Sequence, residues 1–155
     1  MARHRSKIAF VTVATIALAL LGTAVLAATD IGRVKTAQGS VRIQRGGQPV
    51  AAAVGTKVQQ GDTIVTGADG AAGIVFSDDS RLAVGPNTTL VIDTFVFDPT
   101  THQGKFQASL RQGTLSAVSG KLARQSGDAM SVHTPVAVMA VRGTHVLVRV
   151  SEGRP

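Results

Sequence analysis

Two adjacent carboxylates, Asp78 and Asp79, stand between the apolar stretches Ile74–Phe76 and Leu82–Val84. A carboxylate pair suits general acid–base work, a hard cation, or the polar tip of a turn. Acid–base chemistry needs a second polar cluster converging on a pocket that shifts a pKa. No such partner is visible in the sequence. Calcium needs oxygen ligands at D-x-[DN]-x-[DN]-G spacing, which Asp78-Asp79-Ser80 lacks. Ser77 and Ser80 flank the pair, and Ser and Asp side chains bond nearby backbone amides in turns. The expectation is a hairpin loop with both aspartates at a solvated corner.

Other chemistry-bearing residues fare no better. The stretch Leu115–Leu122 resembles a phosphate loop around Gly120-Lys121, but Leu115 replaces its first Gly and Leu122 its Ser or Thr. No G-x-S-x-G elbow occurs. His102, His133 and His145 are not paired at zinc spacing. His133 and His145 fall on outward positions of alternating segments, so both are expected in solvent. With no Cys, thiol chemistry, Cys-ligated zinc and a disulfide scaffold are excluded. With no Trp or Tyr, the aromatic platforms of many glycan and single-strand binders are missing. The expectations are therefore no enzyme, no metal and no cofactor.

The elements that position these residues are legible as period two. Val41 and Ile43 alternate with Arg42 and Gln44, followed by the hairpin dipeptide Gly46-Gly47. Thr63–Thr66 leads through a turn at Gly67–Gly70 into a second strand ending at Phe76. Phe106, Ala108 and Leu110 alternate with Lys105, Gln107, Ser109 and Arg111. Met130 and Val132 continue the pattern, and Val146, Val148 and Val150 oppose His145, Leu147 and Arg149. Such alternation marks half-buried antiparallel strands. Helical signal is limited to Val50–Val54 and Leu115–Ala123. Turn residues recur about every 8–12 residues, the spacing of sandwiches and jelly rolls. The expected fold is a single all-β domain of about ten short antiparallel strands, jelly-roll-like or a rolled β-sandwich.

An apolar segment precedes this domain. Arg3, His4, Arg5 and Lys7 lead into an uncharged stretch from Ile8 to Leu26, ending at Val25-Leu26-Ala27. This pattern describes a secretory signal helix cleaved after Ala27, or alternatively an uncleaved anchor. The expected location is periplasmic or secreted, with an inner-membrane attachment if uncleaved. Of 16 basic residues, Arg3, Arg5 and Lys7 leave with the signal; thirteen then face nine acids, a net of +4. The basic residues are scattered singly, so nucleic acid is not an expected partner. An anionic glycan or lipid surface stays open.

Several motifs resemble the FecR domain, an extracytoplasmic β-domain family, collinearly over roughly Gly39 to Val150. They are Gly39-Ser40-Val41, Gly61-Asp62-Thr63-Ile64-Val65-Thr66-Gly67, Phe76-Ser77-Asp78-Asp79-Ser80, Leu82 to Leu90 around Pro86, and Leu110 to Leu115 around Gly113. The ending, Thr134-Pro135 through Arg142-Gly143-Thr144, is the most specific piece. Asp79 stands where the family usually has Gly. The resemblance implies structural roles for Gly61, Asp62, Thr66, Gly67, Asp78, Asp79, Pro86, Gly113, Arg142, Gly143 and Thr144. Gly61, Gly67 and Gly143 suit positions where a Cβ clashes. Arg142 is expected either to pair with Asp62 or to face a ligand. Arg142, His145 and Arg149 are the binding candidates.

Transmembrane regulators of the family carry a cytoplasmic anti-sigma segment, whereas only seven residues precede the apolar stretch here. The resemblance therefore implies fold and exported location without anti-sigma activity. The expected organisation is a signal or anchor at 1–27, a lead-in at 28–38, a FecR-like domain at 39–150 and a tail at 151–155. The expected function is a non-enzymatic exported binding module, in envelope signalling or regulation, whose partner is another envelope protein. The alternative is an envelope-associated structural or adhesive protein that contacts anionic polymers.

Overall fold

A computed structural model of the chain describes residues 28–143 and 145–151. The expected signal helix, Thr144 and residues 152–155 lie outside the described residues. Twelve strands and one short helix follow in chain order: β1 (Asp30–Gln38), β2 (Val41–Arg45), β3 (Gln48–Ala51), β4 (Lys57–Gln59), β5 (Thr63–Thr66), β6 (Ala71–Phe76), β7 (Arg81–Val84), β8 (Thr89–Phe97), β9 (Gly104–Val118), α1 (Lys121–Gln125), β10 (Met130–His133), β11 (Val138–Ala140) and β12 (Val146–Val150). The all-β expectation holds.

The strands form one continuous curled sheet in the order β3-β2-β5-β8-β9-β7-β6-β1-β4, with β10, β11 and β12 added beside β9. Alternation decides which face turns inward. Along β6, Ala72, Ile74 and Phe76 are buried while Ala71, Gly73 and Val75 are half-buried. Along β9, Phe106, Ala108 and Leu110 are buried. Each fully buried Ile, Leu, Val or Phe contributes about 1.5–3 kcal/mol relative to exposure. A one-residue slip would turn a whole set of such residues into water, so the pairing register is strongly specified.

The sheet curls until its wings face each other. Phe76 comes from one wing and Phe95 from the other, and their rings lie 5.5 Å apart. Phe106 meets both, with centroid separations of 4.6 Å and 5.1 Å. Aromatic rings at such separations attract beyond their area burial, so the trio locks the wings together.

The strand inventory departs from the expectation in three ways. Twelve strands form rather than about ten, and β9 runs for 15 residues. Its amino-terminal part pairs with β8, and its carboxy-terminal part pairs with β7. A register shift opposite Thr89 and Leu90 leaves Arg111 as an extra residue in β9, a bulge that bends the strand from one wing into the other. Gly113 follows with φ +93°, a conformation most side chains avoid, and Thr88 Oγ1 would lie 2.2 Å from an added Cβ. Third, β10 lies parallel to β9. Parallel neighbours require a long crossover. Residues 119–129, including α1, supply it, and Leu122 of α1 is buried in the core.

Candidate functional site

The carboxylate pair is split by the fold. Asp79 lies at the hairpin tip with φ +67°, and Lys121 Nζ sits 2.8 Å from its carboxylate. Asp78, expected at a solvated corner, is 0% exposed. The reason is α1, which folds over the hairpin. The Lys121 N–H donates to the Asp78 carbonyl at 2.7 Å, and the Gly120 N–H donates to Ser80 Oγ at 3.0 Å. Ser80 in turn donates to the Asp78 carboxylate through Oγ at 2.5 Å and N–H at 3.0 Å. A buried carboxylate needs such donors. They make the pair a clasp between hairpin and helix, with its oxygens already engaged.

Asp62 is a second buried carboxylate, 0% exposed. The expected Arg142 partner is not the one it has. Arg45 donates to both its oxygens, Nε at 2.8 Å and a terminal nitrogen at 2.7 Å, and the Gln59 N–H adds a third bond at 2.9 Å. The two-pronged fit suits a guanidinium, whose pKa is held above its ordinary value by that bond. Arg142 is exposed and lies elsewhere, along Gly127, where an added Cβ would meet its Cδ at 2.9 Å. The steric reading of the glycines also needs revision. No atom lies within 4 Å of a Cβ built on Gly61 or Gly143, which instead have φ of +87° and +114°. Ser40 Cβ does crowd Gly67, at 3.0 Å.

The three binding candidates do not converge. His145 is exposed, and its Nε2 lies 2.7 Å from Ser116 Oγ. A serine–histidine contact becomes a nucleophilic pair only with an orienting group behind the imidazole and a site that excludes water. No carboxylate contacts His145 among the described residues, and both side chains stand on an open sheet face. Arg149 lies four residues along the strand direction from His145, roughly 13 Å away. No group of three or more potential metal ligands occurs among the described residues.

Arg149 instead borders a groove at the fork of β9. On one edge of β9, β10 pairs with Phe106–Ser109 and β12 with Gly113–Ala117. Between them Leu110–Gln112 carry no strand partner on that edge. On the opposite edge the equivalent gap is filled: Thr88 Oγ1 accepts from the Thr114 N–H at 3.0 Å, and Thr66 Oγ1 accepts from the Thr88 N–H at 2.9 Å. The open side leaves a cavity of about 800 Å³, bordered by Arg111, Thr134–Ala137, Met139 and Leu147–Ser151. Thr134 closes the β10–β11 loop by exchanging bonds with Ala137, which leaves Val136 at the tip, 92% exposed. Val138 and Leu147 are each 68% exposed. β11 pairs only with β10, and β12 only with β9, so both retain an open edge among the described residues.

Arg111, Val136, Val138 and Leu147 were not among the sequence candidates. The run Pro135-Val136-Ala137-Val138-Met139-Ala140, apolar without alternation, was the available signal.

Three exposed carboxylates carry the clearest charge perturbations. The Lys57 bond holds the Asp30 carboxyl below its ordinary value, and Lys121 does the same for Asp79. The Thr100 and Thr101 N–H groups lower Asp98. Depressed folded values stabilise the fold above the unfolded pKa, and that stabilisation is lost as pH falls through the folded value. Thermal melts should therefore show a midpoint that begins to decline just below pH 4, by a smaller margin in Lys121→Met, where one pair is already gone.

The curled sheet and its open-edged groove define an all-β domain. A family model described as FecR protein matches residues 62–155. The chain belongs to the FecR family, an envelope-associated signalling and regulatory family. The matched stretch begins at Asp62, so the Gly39-Ser40-Val41 opening lies outside it. No curated protein and no solved structure matches the chain.

Proposed function

We propose that this FecR-family chain is an exported, non-enzymatic interaction module that captures an extended segment of another envelope protein along β12, as part of envelope signalling. The observation that carries the reading is the groove beside an open strand edge, with Val136 and Leu147 exposed along it. Clustered exposed apolar residues favour a partner's apolar surface. An unpaired strand edge offers backbone bonds to an added strand, and pockets beside it select side chains. Export is supported by the basic start and apolar stretch of residues 1–27. The FecR family, whose known roles are regulatory, supports the signalling assignment.

Site-specific photocrosslinking tests this. A benzophenone side chain placed at Val136 or Leu147 should trap one envelope protein, and Leu147→Asp should reduce the yield at Val136 at least fivefold. The same group at exposed Arg42 should trap little. Equal trapping at Arg42, or trapping only of a second copy of this chain, would overturn the proposal.

A further inference from the structure

The wing that carries β12 has an opposite margin, made by β4, β1, β6 and β7. Its outward face bears an unusual charge row. Lys57 in β4 lies opposite Arg33 in β1, Arg33 opposite Val75 in β6, and Val75 opposite Arg81 in β7. The row continues to Val118 in β9. Residues directly opposite one another project from the same face, and like charges so placed repel. Strands spaced about 4.8 Å apart put the Arg33 and Arg81 backbones roughly 10 Å apart. Arg33 and Arg81 are exposed, and neither makes an ion pair among the described residues. Lys35, also exposed, adds a fourth cation beside the row.

The acids are engaged elsewhere. Asp62 and Asp78 are buried, and Asp79 is held by Lys121. Asp93 accepts from Ser109 on the other wing. Asp30 borders the row and lies 2.6 Å from Lys57 at the margin, and Asp79, held by Lys121, is close enough to Arg81 to feel its charge. An open cavity of about 310 Å³ lies along this margin, bordered by Asp30–Arg33, Lys35, Lys57 and the Val75–Ser77 stretch.

We infer that this face binds an acidic polysaccharide, with Arg33, Lys35 and Arg81 contacting its anionic groups. Arg33, Lys35 and Arg81, which make no ion pair among the described residues, gain most from an external polyanion, which relieves the repulsion across the strands. A hydrated polymer fits better than a bilayer. Attachment to a bilayer surface adds buried apolar area to charge attraction, and the row itself carries only Val75, half-buried, and Val118, 36% exposed. Phe76, Phe95 and Phe106 are buried in the core. Arg33, Lys35 and Arg81 do not line the fork groove, so this inference stands independently of the proposed protein partner.

Calorimetric titration with alginate, heparin and phosphatidylglycerol vesicles, in 50 mM and 500 mM NaCl, tests it on the full chain. The polysaccharides should bind at low salt and weaken at least tenfold at high salt, because exposed charges are screened. Arg33→Glu/Arg81→Glu should weaken binding at least tenfold, and Arg33→Gln/Arg81→Gln severalfold, with unchanged circular dichroism. Arg42→Glu/Lys105→Glu changes net charge equally on the other wing and should alter affinity less than twofold. Equal loss in that control would reduce the effect to net charge. Binding to vesicles but not to polysaccharide, or to neither at 50 mM NaCl, would also overturn the inference.

Discussion

Phe106→Ala is expected to lower the unfolding free energy by about 3–5 kcal/mol, the usual range for emptying a buried phenylalanine site. The ring is 1% exposed and touches Phe76 from one wing and Phe95 from the other. Its removal deletes apolar burial and the two shortest ring contacts of the trio, 4.6 Å to Phe76 and 5.1 Å to Phe95. A domain of this size has about 5–15 kcal/mol of stability in all, so the variant should be close to its threshold at ambient temperature. Urea unfolding of wild type and variant measures the difference. A loss below 1 kcal/mol would show that the wings are held together elsewhere. Phe97→Ala is the control: that ring is half-buried and stacks near His102 at 6.2 Å, so its loss should cost less than half as much.

Arg45→Met should destabilise the fold by about 3 kcal/mol, because removing one partner strands the other as a buried charge. The Asp62 side chain is fully buried, while that of Arg45 keeps 34% exposure. Water reaching the vacated position can recover part of the loss, which places the expected value at the low end of the range for broken buried pairs. Arg142→Ala, by contrast, should stay within about 0.5 kcal/mol, as for surface substitutions without a buried partner. The pair of measurements distinguishes the two arginines directly. A larger loss at Arg142 than at Arg45 would contradict the observed ion pair. The double variant Arg45→Met/Asp62→Leu should recover much of the stability, since an apolar pair in place of a buried ion pair is often neutral or better.

Local alternation made the strands legible, and tertiary geometry hid what joins them. Met130 and Val132 inward, or Val148 inward with Leu147 outward, follow from period two because each strand has one wet face. The continuity of β9 does not. Gly113 looks like punctuation in a sequence, yet a bulge beside a positive-φ glycine allows a strand to pass between wings without ending. The parallel placement of β10 depends on where the chain returns after α1, which no local pattern encodes. The Asp62 partner was missed for the same reason. Arg45 and Asp62 are 17 residues apart, joined through the β2–β5 pairing rather than by a motif. Asp78 was misplaced because turn chemistry predicts the hairpin and not the helix that covers it. The groove was missed because it is a gap between pairings, and a sequence displays only the pairings' residues.

The shared strand β9 also sets an order of events. Pairings among β1–β8 assemble within the first 97 residues, as one group of β1, β4, β6 and β7 and another of β2, β3, β5 and β8. Until β9 arrives, β7 and β8 are unsatisfied borders of two half-built pieces with no hydrogen-bonded strand between them. A chain emerging from its amino-terminal end therefore remains vulnerable to mispairing with its neighbours until late. Closure then comes in a single step, when one ribbon joins both borders at once.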